Sequence, residues 1–320
     1  MRLFSIIFSA LSLASCSIST QEKSSSVQES RLDTISGIAS GTLIRTHLQS
    51  DYIEDRSLDI WLPSSYDEGK KHNVLYIFDG QMLFDSNNTW NGQEWCVDEI
   101  VDSLINEQYI LPTIVVGLYN GGMRRSFEYF PQNPATNLNS VFADSLFSNI
   151  AYQHNLDLNY AINSDNYLKY VVEEVKPFID SSFHVKDSAI HNAIMGSSMG
   201  GLMSLYAIGE YPDIFGTSLC LSTHWPGGFS ENNQIPQVFA SYIKEYIQPD
   251  RVGKIYFDYG TETLDSMYGP IQKKMDVLLT DNGFNYAENW VTREFLGAAH
   301  DEQSWSKRLH IPLIYAFGRK

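Results

Sequence analysis

The segment GSSMG at 196–200 places Ser198 between two glycines. A short apolar run, 189–195, precedes it, and apolar residues at helical spacing follow it over 202–208. Glycines let a chain turn sharply from a strand into a helix without Cβ clashes. A serine at such a turn presents its hydroxyl at the N-terminus of the helix, where backbone N–H groups stabilise developing negative charge. The pattern therefore predicts a strand–turn–helix element that carries a nucleophilic serine, Ser198.

A serine hydroxyl is a poor nucleophile unless a histidine removes its proton. Three histidines follow Ser198 in the chain: His224, His300 and His310. His300 lies in the small-residue segment GAAHDE, between the last apolar run and the last helical pattern, where a loop can present a base. His310 lies within that helical pattern. In strand–turn–helix hydrolases the chain order is serine, acid, histidine, so the sequence predicts His300 as the base.

The acid that orients this histidine is expected on the loop after the strand before the last one. That strand, 254–259, opens into the segment GTETLD, which contains Glu262 and Asp265. We prefer Asp265, because it lies farther out on the loop and just before the next helical pattern. Glu262 remains an alternative acid. Asp258 falls inside the strand.

Two further residues follow the apolar run 217–221, namely His224 and Trp225. Because loops after buried strands line the pockets of α/β proteins, both are candidates for substrate binding. A packed position in the core is an equally simple explanation for Trp225.

Cofactor and metal sites are not predicted. The eight histidines are scattered, and neither they nor the three cysteines show ligand spacing. Cys96 and Cys220 are isolated from each other in the sequence, which favours two separate thiols over a disulfide.

The elements that must position these residues alternate along the chain. Helical spacing is found over 97–105, from Ser164 onward, over 268–280 and over 302–317. Apolar runs predict strands at 42–48, 58–62, 73–78, 112–117, 189–195, 217–221, 254–259 and 286–295. The first two runs alternate apolar and polar residues, as antiparallel strands do, and 73–78 is continuously apolar. The predicted fold class is α/β, with a mixed, mostly parallel sheet covered by helices on both faces.

The first residues have the pattern of an export signal. A basic start and a short apolar run lead into the segment LASC, which ends at Cys16 and resembles a bacterial lipobox. We interpret 1–16 as a lipoprotein signal peptide with Cys16 as the lipidated residue, and 17–36 as a flexible tether. Residues 37–320 then form one catalytic domain, in which the polar region 119–163 is an insertion over the active-site face.

The chain carries 22 Lys and Arg against 38 Asp and Glu, a net charge of −16. Such an acidic chain is unsuited to a nucleic-acid partner and fits a small-molecule or glycan substrate. The expected location is the bacterial cell envelope, facing the periplasm or the exterior, with membrane contact only through the N-terminal lipid anchor.

Five segments together resemble the Putative esterase family of α/β-hydrolases, which includes feruloyl esterases, enterochelin esterases, esterase D and mycolyltransferases. They are LYIFDGQMLF, IVVGLYNGGMRRSFEYFP, IMGSSMGGLMSLYA, YFDYGTETLD and GAAHDEQSW, and they occur in the family's order. The resemblance runs from about residue 40 to the C-terminus and implies the α/β-hydrolase fold.

This resemblance also implies an oxyanion hole made by the backbone N–H groups of Gln81 and Met199. It further implies a loop-stabilising role for Arg125 and Glu128. The acid loop is longer than the family's usual form, which keeps both Glu262 and Asp265 open as the acid.

The predicted function is a serine carboxylic-ester hydrolase that works through Ser198, His300 and Asp265 and an acyl-enzyme. An acylated carbohydrate, a siderophore or a similar small ester would be the substrate. An acyltransferase with the same three residues is one alternative. A non-catalytic binding lipoprotein on the same fold is another.

Overall fold

One nine-stranded sheet organises the chain, with strand order β1-β2-β3-β5-β4-β6-β7-β8-β9. The computed structural model describes residues 31–156, 161–228 and 232–319. The predicted signal peptide, Cys16 and most of the predicted tether lie outside these residues. The strands are β1 (Asp33–Ile35), β2 (Thr42–Leu48), β3 (Arg56–Leu62), β4 (Asn73–Phe78), β5 (Thr113–Leu118), β6 (Asn192–Ser197), β7 (Thr217–Leu221), β8 (Lys254–Gly260) and β9 (Trp290–Phe295).

The type of strand pairing changes once across the sheet, from antiparallel to parallel. The strands β1, β2, β3 and β5 pair antiparallel in succession. From β5 to β9 every neighbouring pair is parallel. The predicted mixed, mostly parallel sheet is therefore confirmed. Parallel strands end at one edge of the sheet, so the loops after β4, β6, β7 and β8 are brought together there.

Helices cover both faces of this sheet. They are α1 (Val97–Asn106), α2 (Arg125–Glu128), α3 (Gln132–Thr136), α4 (Ser140–Gln153), α5 (Ser164–Lys169), α6 (Lys176–Ser182), α7 (Met199–Glu210), α8 (Gln234–Tyr246), α9 (Gly269–Asp281), α10 (Glu302–Arg308) and α11 (His310–Phe317). A π-helical segment, Tyr170–Val175, joins α5 to α6. None of the helices in the part of the chain described here is long and apolar enough to cross a membrane.

The strand β4 shows how two cores are built from one apolar run. All of its residues are buried. Tyr76 and Phe78 pack into a core with helices α7 and α8, whereas Leu75 and Ile77 pack into a second core with α1, α10 and α11. Because side chains alternate between the two faces of a strand, a continuously apolar run is what a sheet covered on both faces requires.

Several predicted elements differ from the observed ones in their limits. The predicted helix 302–317 is two helices, α10 and α11. Pro312 lies in the first turn of α11 and has no N–H to donate to the carbonyl of Arg308, so a continuous helix is interrupted there. The run 189–195 begins with a 3-10 turn, Ala189–His191, before β6. The strand β9 is shorter than the predicted 286–295.

The region 119–163 is more helical than its polar composition indicated, because it contains α2, α3 and α4. The side chain of Asn139 accepts a hydrogen bond from the backbone N–H of Phe142 and so caps α4. The phenyl rings of Phe130 and Phe147, both in this region, meet edge to face. Its coverage of the active-site face stays a prediction.

A buried ion pair attaches this region to the sheet. Arg56 on β3 and Glu128 on α2 are both buried, and Nη2 of Arg56 lies 2.5 Å from Oε1 of Glu128. The second oxygen of Glu128 accepts the backbone N–H of Gly121 at 2.8 Å. This contact fits the loop-stabilising role that the family resemblance implied for Glu128.

We predict that Glu128→Ala lowers the free energy of unfolding by about 3–5 kcal/mol, since it leaves Arg56 buried without its partner. Urea denaturation followed by circular dichroism measures this change. The matched control is Asp33→Ala, which breaks an ion pair whose Arg31 and Asp33 side chains are 87% and 52% exposed. That control is expected to unfold like the unmodified protein. Equal unfolding midpoints for both variants would contradict the assignment.

Candidate active site

The turn between β6 and α7 holds Ser198 in an unusual backbone conformation, with φ 57° and ψ −121°. Positive φ is costly for a residue with a side chain and persists only where the surroundings impose it. Here the backbone N–H of Ser198 donates to the carbonyl of Leu221 at 2.9 Å. Its carbonyl accepts from the N–H groups of Gly201 and His224, at 3.0 and 3.1 Å. The predicted strand–turn–helix element is therefore present, and its turn is fastened to the end of β7.

The flanking glycines allow the close approaches that this turn needs. A Cβ atom on Gly196 would lie 2.7 Å from the carbonyl carbon of Gly200. A Cβ atom on Gly200 would meet Phe78 at 3.3 Å and a carboxylate oxygen of Asp79 at 3.6 Å. The serine turn thus lies directly beside the turn that follows β4.

His300 and Asp265 are hydrogen-bonded, with Nδ1 of His300 2.5 Å from Oδ1 of Asp265. The backbone N–H of His300 donates to the Thr263 hydroxyl at 2.8 Å, which ties the two loops together. The imidazole ring meets the rings of Tyr268 and Trp305 edge to face, at centroid distances of 5.7 and 5.0 Å. The structure therefore brings together two residues that are 35 positions apart in the chain.

Of the two acids proposed from the sequence, the structure places Asp265 against His300, while Glu262 is exposed on the same loop. Asp265 is buried, and its other carboxylate oxygen accepts from the Ser222 hydroxyl and from the backbone N–H of Gly260, each at 2.6 Å. Burial alone would raise the pKa of Asp265. The hydrogen bond and charge of His300, with the donors on Ser222 and Gly260, hold that pKa below its usual value.

An ionised Asp265 determines which nitrogen of His300 carries the proton. A carboxylate only accepts hydrogen bonds, so Nδ1 of His300 must donate. The other ring nitrogen, Nε2, is then unprotonated in the neutral imidazole and can accept a proton. This is the tautomer that a general base requires.

His224 also reaches the site, but it is buried. Its Nδ1 lies 2.7 Å from the hydroxyl of Tyr268. The pKa of His224 is lowered to about 3, mainly by burial and to a smaller extent by the nearby charges of His300 and Arg125. His224 is therefore neutral at physiological pH and a weak base.

Trp225, the other candidate for substrate binding, is a core residue in the structure. Its indole is fully buried against the rings of Phe239 and Phe257. Its indole N–H donates to the side chain of Gln272 at 2.7 Å. A tryptophan after a buried strand can turn into a pocket or back under the next helix, and here α9 supplies the polar partner that favours the second arrangement.

The turn after β4 holds Gln81, which is the second residue of the 3-10 turn Gly80–Met82. It begins at Asp79, whose φ is 61°. Arg125 donates two hydrogen bonds of 2.7 Å to the Asp79 carboxylate, and Asn120 donates a third at 2.6 Å. Arg125 therefore stabilises this turn, in keeping with the role implied by the resemblance.

Met199 is the first residue of α7. The N–H groups of a first helical turn have no acceptor within the helix and point away from its N-terminus. Because Gly200 packs against Phe78 and Asp79, this end of the helix adjoins the turn that carries Gln81.

Sequence reasoning missed the polar groups behind Asp265, namely Ser222, Asp258 and Arg308. All three are buried and belong to one hydrogen-bonded group. A signal was present for Asp258, since a carboxylate inside a continuously apolar strand needs a buried partner. The sequence did not indicate which cation supplied it.

Comparison with known proteins identifies the family to which the chain belongs. The model of the family described as "Putative esterase" matches residues 51–310. The chain belongs to this family. A protein of Bacillus subtilis (strain 168) described as "Uncharacterized protein YbbA" is 23% identical over 83% of this chain and 94% of its own length. Membership makes the chain a carboxylic-ester hydrolase by class.

Solved structures share the fold. A ferulic acid esterase has a TM-score of 0.57 at 19% identity, over 86% of this chain and 97% of its own. A CE1 ferulic acid esterase from Anaeromyces mucronatus has 0.55 at 20%, over 92% and 94%. The enterobactin esterase of Shigella flexneri has 0.61 at 17%, over 90% of this chain and 59% of its own. The predicted α/β-hydrolase fold is thereby confirmed.

The lowered pKa of Asp265 leads to a prediction about stability. A carboxyl whose pKa is lower in the folded protein adds stability above its unfolded pKa of about 3.9, and this is lost as pH falls through the folded value. We expect the unmodified protein to be more stable than Asp265→Asn at pH 7, with the difference shrinking below about pH 4. Urea unfolding of both proteins between pH 3 and 7 measures it, and a difference that grows on acidification would contradict the prediction.

Proposed function

We propose that the chain hydrolyses carboxylic esters with Ser198 as nucleophile, His300 as general base and acid, and Asp265 as the group that orients His300. The observation that carries this proposal is the 2.5 Å hydrogen bond between His300 and Asp265. It fixes an imidazole with a proton-accepting Nε2 on loops that meet at the same sheet edge as the Ser198 turn.

The low pKa of His224 supports His300 as the base. Both histidines contact Tyr268, so both lie in the site. A general base is most effective when its pKa is near the working pH. With a pKa of about 3, His224 takes up a serine proton poorly. Its role in the proposal is to hold the hydroxyl of Tyr268.

The reaction proceeds in two balanced steps. Oγ of Ser198 bonds to the ester carbonyl carbon while its proton passes to Nε2 of His300. When the tetrahedral intermediate collapses, the bond to the alcohol oxygen breaks and His300 returns the proton to the departing alcohol. A water molecule then attacks the acyl-enzyme, giving its proton to His300, and the acid leaves as Ser198 regains its hydrogen.

The negative charge of each tetrahedral intermediate is assigned to the backbone N–H groups of Gln81 and Met199. The N-terminal position of Met199 on α7 and the neighbouring turn at Gln81 support this assignment. Each such donor is typically worth about 3–4 kcal/mol in the transition state. Arg125 contributes indirectly, since it holds the turn through Asp79.

The proposed substrate is a small ester of the kind found on acylated carbohydrates or siderophores. Structural neighbours named as ferulic acid and enterobactin esterases support this class. We further propose that Cys16 anchors the protein by a lipid outside the cytoplasm, which the segment LASC supports. Substrates from the surroundings of the cell would then reach the site.

The test of this function is turnover of p-nitrophenyl acetate, butyrate and octanoate and of methyl ferulate. We expect Ser198→Ala and His300→Ala each to reduce kcat by at least about a thousandfold. The matched control is His224→Gln, where a smaller loss is expected because the residue does not transfer the proton. Product analysis with added alcohols separates hydrolysis from acyl transfer. Full activity in Ser198→Ala, or equal losses in both histidine variants, would contradict the mechanism.

A second comparison tests the acid. We expect Asp265→Asn to lower kcat by roughly three to four orders of magnitude, because an amide no longer fixes the tautomer of His300. Glu262→Gln, a change of the same kind three residues earlier on the loop, is expected to leave kcat within a factor of about two, since its side chain is exposed. The reverse order of effects in steady-state kinetics would transfer the role to Glu262.

A further inference from the structure

Behind Asp265, on the side away from His300, lies a set of polar groups that the mechanism above does not use. The set comprises Ser222 at the end of β7, Asp258 on β8 and Arg308 at the end of α10, and all three are buried. We call these three residues the rear polar group. Buried charges are costly unless they are paired, so their presence here needs an explanation.

The Ser222 hydroxyl connects this group to Asp265, and its hydrogen-bond direction is determined by its neighbours. It lies 2.9 Å from the indole nitrogen of Trp305 and 2.9 Å from Nη2 of Arg308. Both of those groups can only donate, so the hydroxyl accepts from them. Its own proton must then go to Oδ2 of Asp265, 2.6 Å away. Arg308 thereby strengthens the hydrogen bond that Ser222 donates to Asp265.

Arg308 is shared between the Asp258 carboxylate and the Ser222 hydroxyl. Its Nη2 donates to Oδ1 of Asp258 at 2.9 Å as well as to Ser222. The other oxygen of Asp258 accepts from the hydroxyl of Tyr256 at 3.1 Å. Burial raises the pKa of Asp258, and the charge and hydrogen bond of Arg308 oppose that rise.

Charge balance suggests what the arrangement does. With Asp258 and Asp265 ionised and Arg308 protonated, the buried cluster carries one net negative charge while His300 is neutral. When His300 takes the proton of Ser198, the cluster becomes neutral overall. The energy of the imidazolium therefore depends on Asp258, which favours it, and on Arg308, which opposes it, as well as on the carboxylate it contacts.

We propose that Ser222, Asp258 and Arg308 are positioning residues that orient Asp265 and set the pH at which His300 works as a base. This inference rests on the proposed function, because it assigns these residues a role in the same reaction. Asp258 and Arg308 act through Ser222 and Asp265 and do not touch the substrate.

Other charged or titratable groups lie near His300, in space or in the chain, and are kept constant in the test. They are Asp265 on the loop after β8, Tyr268 before α9, His224 after β7, and Asp301 and Glu302 next to His300 in the chain. None of them is changed in the variants below, so a shift in pH dependence reports on the rear polar group.

The experiment is the pH profile of kcat/KM for methyl ferulate or the best p-nitrophenyl ester, with variants of opposite charge effect. Asp258→Asn removes a negative charge and is expected to move the acidic limb to lower pH. Arg308→Met removes a positive charge and is expected to move it to higher pH. Each shift should be on the order of half a pH unit. The double variant removes both charges, so its acidic limb should return toward that of the unmodified protein.

The matched control is Asp276→Asn on α9. Asp276 is a half-buried carboxyl that accepts hydrogen bonds from Gln272 and Thr292 and lies outside the rear polar group. Its acidic limb should not move. Circular dichroism at each pH verifies that every variant is folded where its rate is measured.

Opposite shifts in the two single variants, with partial return in the double variant, would support the proposal. Unchanged limbs in folded variants, or shifts in the same direction, would overturn it. If a charge variant does not fold, Ser222→Ala decides the question without changing charge. It is expected to lower kcat about tenfold with little change in KM, and an unchanged kcat would overturn the proposal.

Failure of this inference can be told from failure of the proposed function. The function fails if Ser198→Ala retains turnover. The inference fails if turnover depends on Ser198 but the acidic limb of the pH profile is unchanged by substitution of Asp258 and of Arg308.

Discussion

The backbone at Ser198 is the constraint around which the site is arranged. A positive φ with a side chain present cannot persist by itself. Three hydrogen bonds maintain it, to Leu221 at the end of β7, Gly201 in the first turn of α7 and His224 after β7. Those bonds also fix the position of the chain at His224. The close packing of Gly196 on Gly200 brings the helix N-terminus down onto the turn after β4. The nucleophile, the start of α7 and the neighbouring turn are therefore held together by hydrogen bonds and close packing.

The parallel part of the sheet brings the other groups to this body. Asp265 follows β8, Ser222 follows β7 and His300 follows β9, and parallel strands all end at the same edge. Arg308, the last residue of α10, supplies the cation. The interruption of the helix at Pro312 ends α10 at this residue. Polar side chains from the end of β7, from β8 and from α10 can thus meet behind a single carboxylate.

The strands, the serine turn and the loop that bears His300 could be predicted because local patterns determine them. An apolar run reads as a strand, and glycine permits a sharp turn, wherever they occur in the chain. The link between Ser222 and Arg308 joins residues 86 positions apart, and no local pattern reveals it. Trp225 illustrates the same limit, because only the partner on α9 determines which way its ring turns. The helix α8 was not predicted, although it supplies part of the core that buries this ring.

Three hydrogen bonds occupy most of the lone-pair positions of the Asp265 carboxylate. One oxygen faces His300, the other faces Ser222 and Gly260, and the residue is buried. The hydrogen between Asp265 and His300 therefore points to a carboxylate whose side chain is fully buried. Because the backbone N–H of His300 is bonded to Thr263, we expect this hydrogen to exchange with water when the loop that carries His300 opens. The rate at which that one hydrogen exchanges with water in the resting protein would therefore report how often the loop that carries the base opens.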